Sequence, residues 1–201
     1  MTNSDAETSR DAIMEATYRV LAEEGYADLT TKAIAEEVGK STALIHYYYD
    51  TKETLLVEFL EYLLDTFREG VERQSGDAPA ERLETFLERF VSGPEDPEAF
   101  HTAMLDLRTQ APHDAAFREQ LRTNDREITD YVADVLAAGI EAGEFREVDP
   151  DRVASFLFSA LDGARTRWVV TGDDEVLSSA REELRRYLEE RVYRDDLESP
   201  R

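Results

Sequence analysis

The sequence predicts an all-α protein of about nine helices, with a short three-helix unit at the N-terminus followed by a longer helical bundle. Three observations carry this. Apolar residues recur at three- and four-residue spacing along most of the chain, the period of a helix that buries one face. Alternating β-branched and aromatic runs between turn signals, the mark of strands, are nearly absent. Gly and Pro are sparse, 9 and 6 in 201 residues, so they act as punctuation between helices. The 41% of hydrophobic residues is enough to bury a real core and excludes a globally disordered chain.

Residues 1–8 are polar and read as a disordered tail. From about Ser9 the positions Ile13, Ala16, Val20 and Leu21 make a helical face, and Gly25 suits a left-handed stop. Thr30 is placed to cap a second short helix with Ile34, Ala35 and Val38 on one side. Gly39 interrupts, and Ser41 stands where it can cap a third helix running to about Tyr49. Asp50 and Thr51 break that helix. A long one follows over 52–73, striped by Leu55, Leu56, Phe59, Leu60, Leu63, Phe67 and Val71. SGDAP (75–79) is a turn, 79–92 a helix, and GPEDP (93–97) a second break. A helix over 98–110 ends before Pro112, and 114–142 forms one long amphipathic helix. EAGEFREVDP (141–150) closes it, and Gly172-Asp173-Asp174 divides two final helices over 150–171 and 174–194.

The charge is extreme: 46 acids against 23 Lys and Arg, a net of −23. Duplex DNA repels such a chain, but the basic residues are not evenly spread. Only three are Lys, at 32, 40 and 52, all inside one 21-residue window. Between Leu29 and Lys52 they offset Glu36, Glu37 and Asp50, so the whole negative excess lies elsewhere. The acidic surface with few lysines reads as that of a protein from a high-salt cytoplasm. Zero Cys excludes disulfides, thiolate metal sites and Cys nucleophiles. The first ten residues carry no apolar signal segment, and no apolar run spans a bilayer, so a cytoplasmic protein is expected. The three His form no metal pair, and no nucleophile elbow or phosphate-binding Gly loop is present. No catalytic residue, metal or cofactor is expected.

The segment TTKAIAEEVGKSTALIHYYYDTK (30–52) has the physics of a helix-turn-helix. A short helix with a narrow apolar face precedes a tight Gly-containing turn, and a second short helix is free to enter the major groove. Ala35, Val38 and Ile45 are the expected packing residues, and Ala35 is small enough for close approach. Tyr49, four after Ile45, is expected in the core and Tyr47 outside.

Gly25, Thr30, IAEEVG (34–39), Ser41, Leu44-Ile45, HYYY (46–49) and TKETLL (51–56) together resemble the tetracycline-repressor (TetR-type) regulators. The resemblance is strong over about 9–70 and weaker at EAGEFREVDP and SALDGARTR (159–167). It implies a DNA-binding domain over 9–52 and a ligand-binding and dimerisation domain over 53–201. It implies base contacts from Ser41, Thr42 and Ala43, and contacts to bases or sugar-phosphate from His46 and Tyr47. Tyr48 and Lys52 match phosphate-contacting positions; Thr30, Thr31 and Lys32 match the backbone end of the second helix, and Lys40 adds a further cation. His46 stands where the family usually has Tyr, Tyr49 where it has Phe, and Asp50 where Pro is frequent.

Beyond residue 53 the resemblance implies a pocket for a small-molecule effector among Phe86, Phe90, Phe100, Met104, Leu107, Asn124, Ile128 and Tyr131. Asn124 lies on an apolar stripe and needs a partner, from a neighbouring helix or from a ligand. His101 is open in the same way. The last two helices would pair with their copies in a homodimer through Phe156, Leu157, Ala160, Ala164, Trp168, Leu184, Tyr187 and Leu188; burial within one chain is the alternative. The resulting expectation is a ligand-responsive repressor released from operator DNA by a small molecule. The competing reading is a helical ligand-binding or scaffold protein with a vestigial helix-turn-helix.

Overall fold

A computed structural model describes residues 3–74, 76, 78–92 and 97–194. Among them it has nine α-helices: α1 (Asn3–Asp28), α2 (Thr31–Val38), α3 (Thr42–Tyr48), α4 (Lys52–Gln74), α5 (Pro79–Ser92), α6 (Pro97–Gln110), α7 (Ala115–Glu141), α8 (Pro150–Thr171) and α9 (Asp174–Arg191). The expected boundaries hold to within a few residues, with one difference. The tail expected over 1–8 is helical from Asn3, because nothing in NSDAETSR is a Gly or Pro that would stop the helix. The turns expected at 75–79 and 93–97 fall largely outside the described residues. No described helix is long and apolar enough to cross a membrane.

Local chemistry explains the punctuation. Gly25 breaks α1 with φ 78 and ψ 174, a region open in practice to glycine alone. The Thr30 hydroxyl accepts from the Ala33 N–H at 3.1 Å and starts α2, which Gly39 ends in the left-handed conformation. Asp149 and Asp173 cap α8 and α9 in the same way as Thr30. Ser41 occupies the cap position of α3, but its hydroxyl makes no capping bond.

The chain packs as two compact units, and they do not follow the boundary expected at residue 53. One comprises residues up to 66 together with 98–124; the other comprises 67–97 and 125 onward. In the first, α1, α2, α3, the first part of α4, α6 and the start of α7 share one core, with Ile13, Ile34, Ile45, Tyr49, Leu55 and Leu60 each at most 1% exposed. Asn124 joins this unit: its amide donates to the Leu60 carbonyl at 2.8 Å and accepts from Gln120 at 2.9 Å. A neighbouring helix thus meets the need for a partner.

The second unit gathers α5, most of α7, α8 and α9 around Leu83, Phe86, Val135, Leu136, Phe145 and Leu157. After α7 the chain turns at Gly143, and the Gly139 carbonyl accepts from both Glu144 and Phe145 N–H groups, at 2.9 and 3.0 Å. Phe145 then forms an isolated antiparallel bridge with Tyr193, closed by Arg146 N–H to Val192 O at 2.7 Å. The final helix therefore ends at Arg191 rather than at 194, because the next residues pair with this loop. A side chain at Gly139 would overlap the Phe145 ring, which is fully buried. Gly139→Ala should therefore cost about 1–3 kcal/mol through overpacking, read as a lower urea midpoint at unchanged m-value. An unchanged midpoint would remove this contact from the account.

Candidate nucleic-acid interface

Ile34 and Ala35 turn one face of α2 into the first unit's core, and Ile45 does the same for α3. Tyr49, four residues after Ile45, is 1% exposed, and its N–H donates to the Ile45 carbonyl at 2.8 Å. With 45 and 49 committed inward, helical spacing puts Ala43 and Tyr47 on the opposite side, with His46 on the flank and Thr42 in the first turn, and all four are exposed. Tyr47 is 75% exposed, so packing does not account for it. Its ring meets the half-buried Tyr48 ring edge-on, with centroids 5.1 Å apart. Burial and the adjacent Glu58 raise the Tyr49 hydroxyl well above its usual pKa, which keeps it neutral inside the unit.

Acids on this surface are offset. Lys32 and Glu36 on α2 pair at 3.6 Å, and Arg19 of α1 pairs with Glu37. Such exposed pairs contribute little to stability, but they cancel the repulsion two carboxylates would present to a phosphate. Arg10 of α1 sits 5.8 Å from the Tyr48 ring centroid, a further cation beside the α3 face. Sequence reasoning missed Arg10 and Arg19. Their place on α1 was readable, but which end of α1 lies against α3 was not.

Thr30, Lys32, Lys40, Ser41, Thr42, Ala43, His46 and Tyr47 are exposed, while Thr31 and Tyr48 are half-buried. Lys52 is placed differently from the rest. Its ammonium donates to the Tyr26 carbonyl at 2.9 Å and lies 3.9 Å from the Tyr26 ring centroid. Burial lowers its pKa and raises that of Tyr26, to which Glu53 and Asp114 add.

The eight pocket candidates divide between the units. Phe86, Phe90, Ile128 and Tyr131 belong to the second core, where Phe86 and Phe90 stack at 5.4 Å and Tyr131 stands 6.4 Å from Phe86. Phe100, Met104, Leu107 and Asn124 lie in the first unit, with His101 buried there against Phe100. Arg165, which the sequence did not single out, covers the Phe90 ring at 3.7 Å, donates to its carbonyl and pairs with Asp162 at 2.8 Å. An open depression of about 810 Å³ between α5 and α9 contains none of the eight; Glu88, Val91, Leu177, Arg181 and Arg185 line it.

Of the dimer candidates, Leu157, Ala164, Leu184 and Leu188 are buried within one chain. Ala160, Trp168 and Tyr187 are half-buried, and Phe156 is 46% exposed with its ring 4.8 Å from that of Tyr187. Among the described residues no group of His and carboxylates is arranged to hold a metal ion.

Two family models match this sequence. One, described as bacterial regulatory proteins of the tetR family, covers residues 13–59; the other, a BetI-type transcriptional repressor C-terminal model, covers 79–192. The AcnR transcriptional repressor of Corynebacterium diphtheriae is 26% identical over 88% of this chain and 90% of its own. A TetR transcription regulator from Haloarcula marismortui superposes with a TM-score of 0.84 at 40% identity, over 92% of this chain and 99% of that one. A regulator from Saccharomonospora viridis, solved in complex with choline, superposes with a TM-score of 0.79 at 23% identity, over 94% and 99% of the two chains, and so shares the fold.

The burial contrast on α3 yields a paired expectation. Tyr47→Ala should leave the unfolding free energy within about 0.5 kcal/mol of wild type, whereas Ile45→Ala should lose about 2–5 kcal/mol. Chemical denaturation of both variants measures it, and a large loss for Tyr47→Ala would mean that the ring packs.

Proposed function

From the premise that this chain belongs to the tetR family of bacterial regulatory proteins, a family of ligand-responsive DNA-binding repressors, we propose that a homodimer seats each α3 in the major groove of an operator half-site. The observation that carries the reading is the split between Ile45 and the capping Tyr49, both buried, and an exposed row on the same short helix ending at Tyr47. Thr42, Ala43, His46 and Tyr47 reach base edges, with Ser41 at the entry to the helix. Lys32, Lys40 and Arg10 meet phosphate, supported by Thr30, Thr31 and Tyr48.

Dimerisation falls to the outer faces of α8 and α9. Among the described residues three large apolar side chains are exposed, and besides Tyr47 they are Phe156 and Val170, both on α8. Trp168 and Tyr187 flank them as half-buried rings. For the effector we assign a small molecule with an aromatic or apolar part, held against Phe86, Phe90, Tyr131 and Ile128. Differential affinity of that molecule for one arrangement of the protein releases the operator. The DNA partner puts the protein in the cytoplasm. The acidic, lysine-poor surface supports work in concentrated salt, so its assays belong in concentrated KCl.

The test is binding to DNA upstream of its own gene. Tyr47→Ala should weaken binding by about 1–3 kcal/mol against that site and far less against random DNA. Lys40→Ala should weaken both and flatten the salt dependence by about one unit per protomer. With three phosphate-facing cations per protomer, the slope of log affinity against log salt should be shallower than about −6 for the dimer. Equal affinity of the wild type for operator and random DNA would overturn the reading. Sedimentation of a Phe156→Glu, Val170→Glu double variant should show a monomer; a persistent dimer would move the interface elsewhere.

A further inference from the structure

We propose that Lys52 acts in operator binding as a positioning residue, a latch that holds the start of α4 to the end of α1, and not as a phosphate contact. This rests on the operator-binding reading above and concerns how α3 is held. The last carbonyls of a helix have no partner within it, and α1 has no basic residue in its final turn to satisfy or neutralise them. Lys52 supplies both from another helix. Its Nζ donates to the Tyr26 carbonyl at 2.9 Å, and its charge lies 3.9 Å from the Tyr26 ring centroid. Half-buried and held by a carbonyl and an aromatic face, the ammonium is drawn toward α1, and extending it to a phosphate would weaken both contacts.

The chain geometry explains what the latch controls. Only Tyr49, Asp50 and Thr51 separate α3 from α4. Tyr49 anchors the end of α3 in the core, and the Thr51 hydroxyl accepts from the Thr54 N–H at 3.1 Å, which stiffens the entry to α4. The beginning of α4 therefore fixes where α3 ends, and Lys52 fixes the beginning of α4 to the Gly25–Tyr26 corner. Gly25, held at φ 78, sets the direction in which the Tyr26 carbonyl points.

Operator affinity is measured across a series of KCl concentrations for wild type, Lys52→Met, Lys52→Arg, Tyr26→Leu and the Tyr26→Leu, Lys52→Met double variant. The latch predicts a loss of about tenfold for Lys52→Met at every salt concentration, with a salt slope parallel to wild type. Lys52→Arg should keep most of the affinity, since a guanidinium can serve both the carbonyl and the ring. Tyr26→Leu, which removes the ring and keeps the carbonyl, should also weaken binding, and the double variant should be no weaker than Lys52→Met alone. In the DNA-free protein, Lys52→Met should speed amide exchange in residues 22–33 and leave α9 unchanged, a readout that survives even if the operator reading fails. A slope flattened by about one unit per protomer in Lys52→Met, with Tyr26→Leu binding as wild type, would establish a direct phosphate contact and overturn the latch. Unchanged exchange in residues 22–33 would overturn it as well.

Discussion

A helix of seven residues cannot hold itself together in water, because nucleation costs more than so few hydrogen bonds return. The α3 helix (Thr42–Tyr48) therefore exists because Ile45 and Tyr49 are buried, fully and to 1% exposure, in the core that α1, α2 and α4 share. That constraint sets the orientation of everything else on the helix. Once 45 and 49 point inward, 43 and 47 fall on the opposite side of the helix, and 42 and 46 are exposed beside them. The exposed face of α3 is the residue of a packing problem, and its rigidity comes from the core behind it.

The same economy applies to charge. A chain of net −23 should avoid a polyanion, and most of this surface does. The exception is local, and it is built by pairing as much as by composition. Lys32 and Arg19 are turned toward Glu36 and Glu37, which silences the acids of α2. Lys40 stays exposed at the turn, and Arg10 comes from a different helix to stand by Tyr48. Lys52, which by position belongs to the same basic group, is drawn inward by an orphan carbonyl of α1. Counting basic residues in a window thus overstates some contributions and omits others.

In the second unit the aromatic side chains do two kinds of work. Phe86, Phe90 and Phe158 pack ring against ring, and Arg165 closes the face of Phe90 with its guanidinium. A cation held at 3.7 Å from that ring occupies the position that a ligand cation would seek there. At the other end Phe145 and Tyr193 join the α7–α8 loop to the end of α9, with the Tyr193 hydroxyl donating to Glu84 of α5 at 3.1 Å. Unpaired apolar surface remains on the outside of α8, where Phe156 and Val170 are exposed.

The sequence alone determined most of the helix-turn-helix. Apolar spacing, the Thr30 cap and the stops at Gly25, Gly39 and Gly172 are local signals, so the helices and their buried faces could be read within a few residues. The inward Tyr49 and outward Tyr47 followed from the same periodicity. Periodicity says which face is apolar but not what covers it, and only the tertiary structure decided that. The stripes of α4 and α7 run without interruption, yet each divides between two cores. Asn124 found its partner 64 residues away at Leu60, and Lys52 found its own at Tyr26, 26 residues back. Contacts between distant positions leave no trace in local spacing. The contacts of Lys52, Arg19 and Arg10 around the candidate interface were accordingly those the sequence could not place.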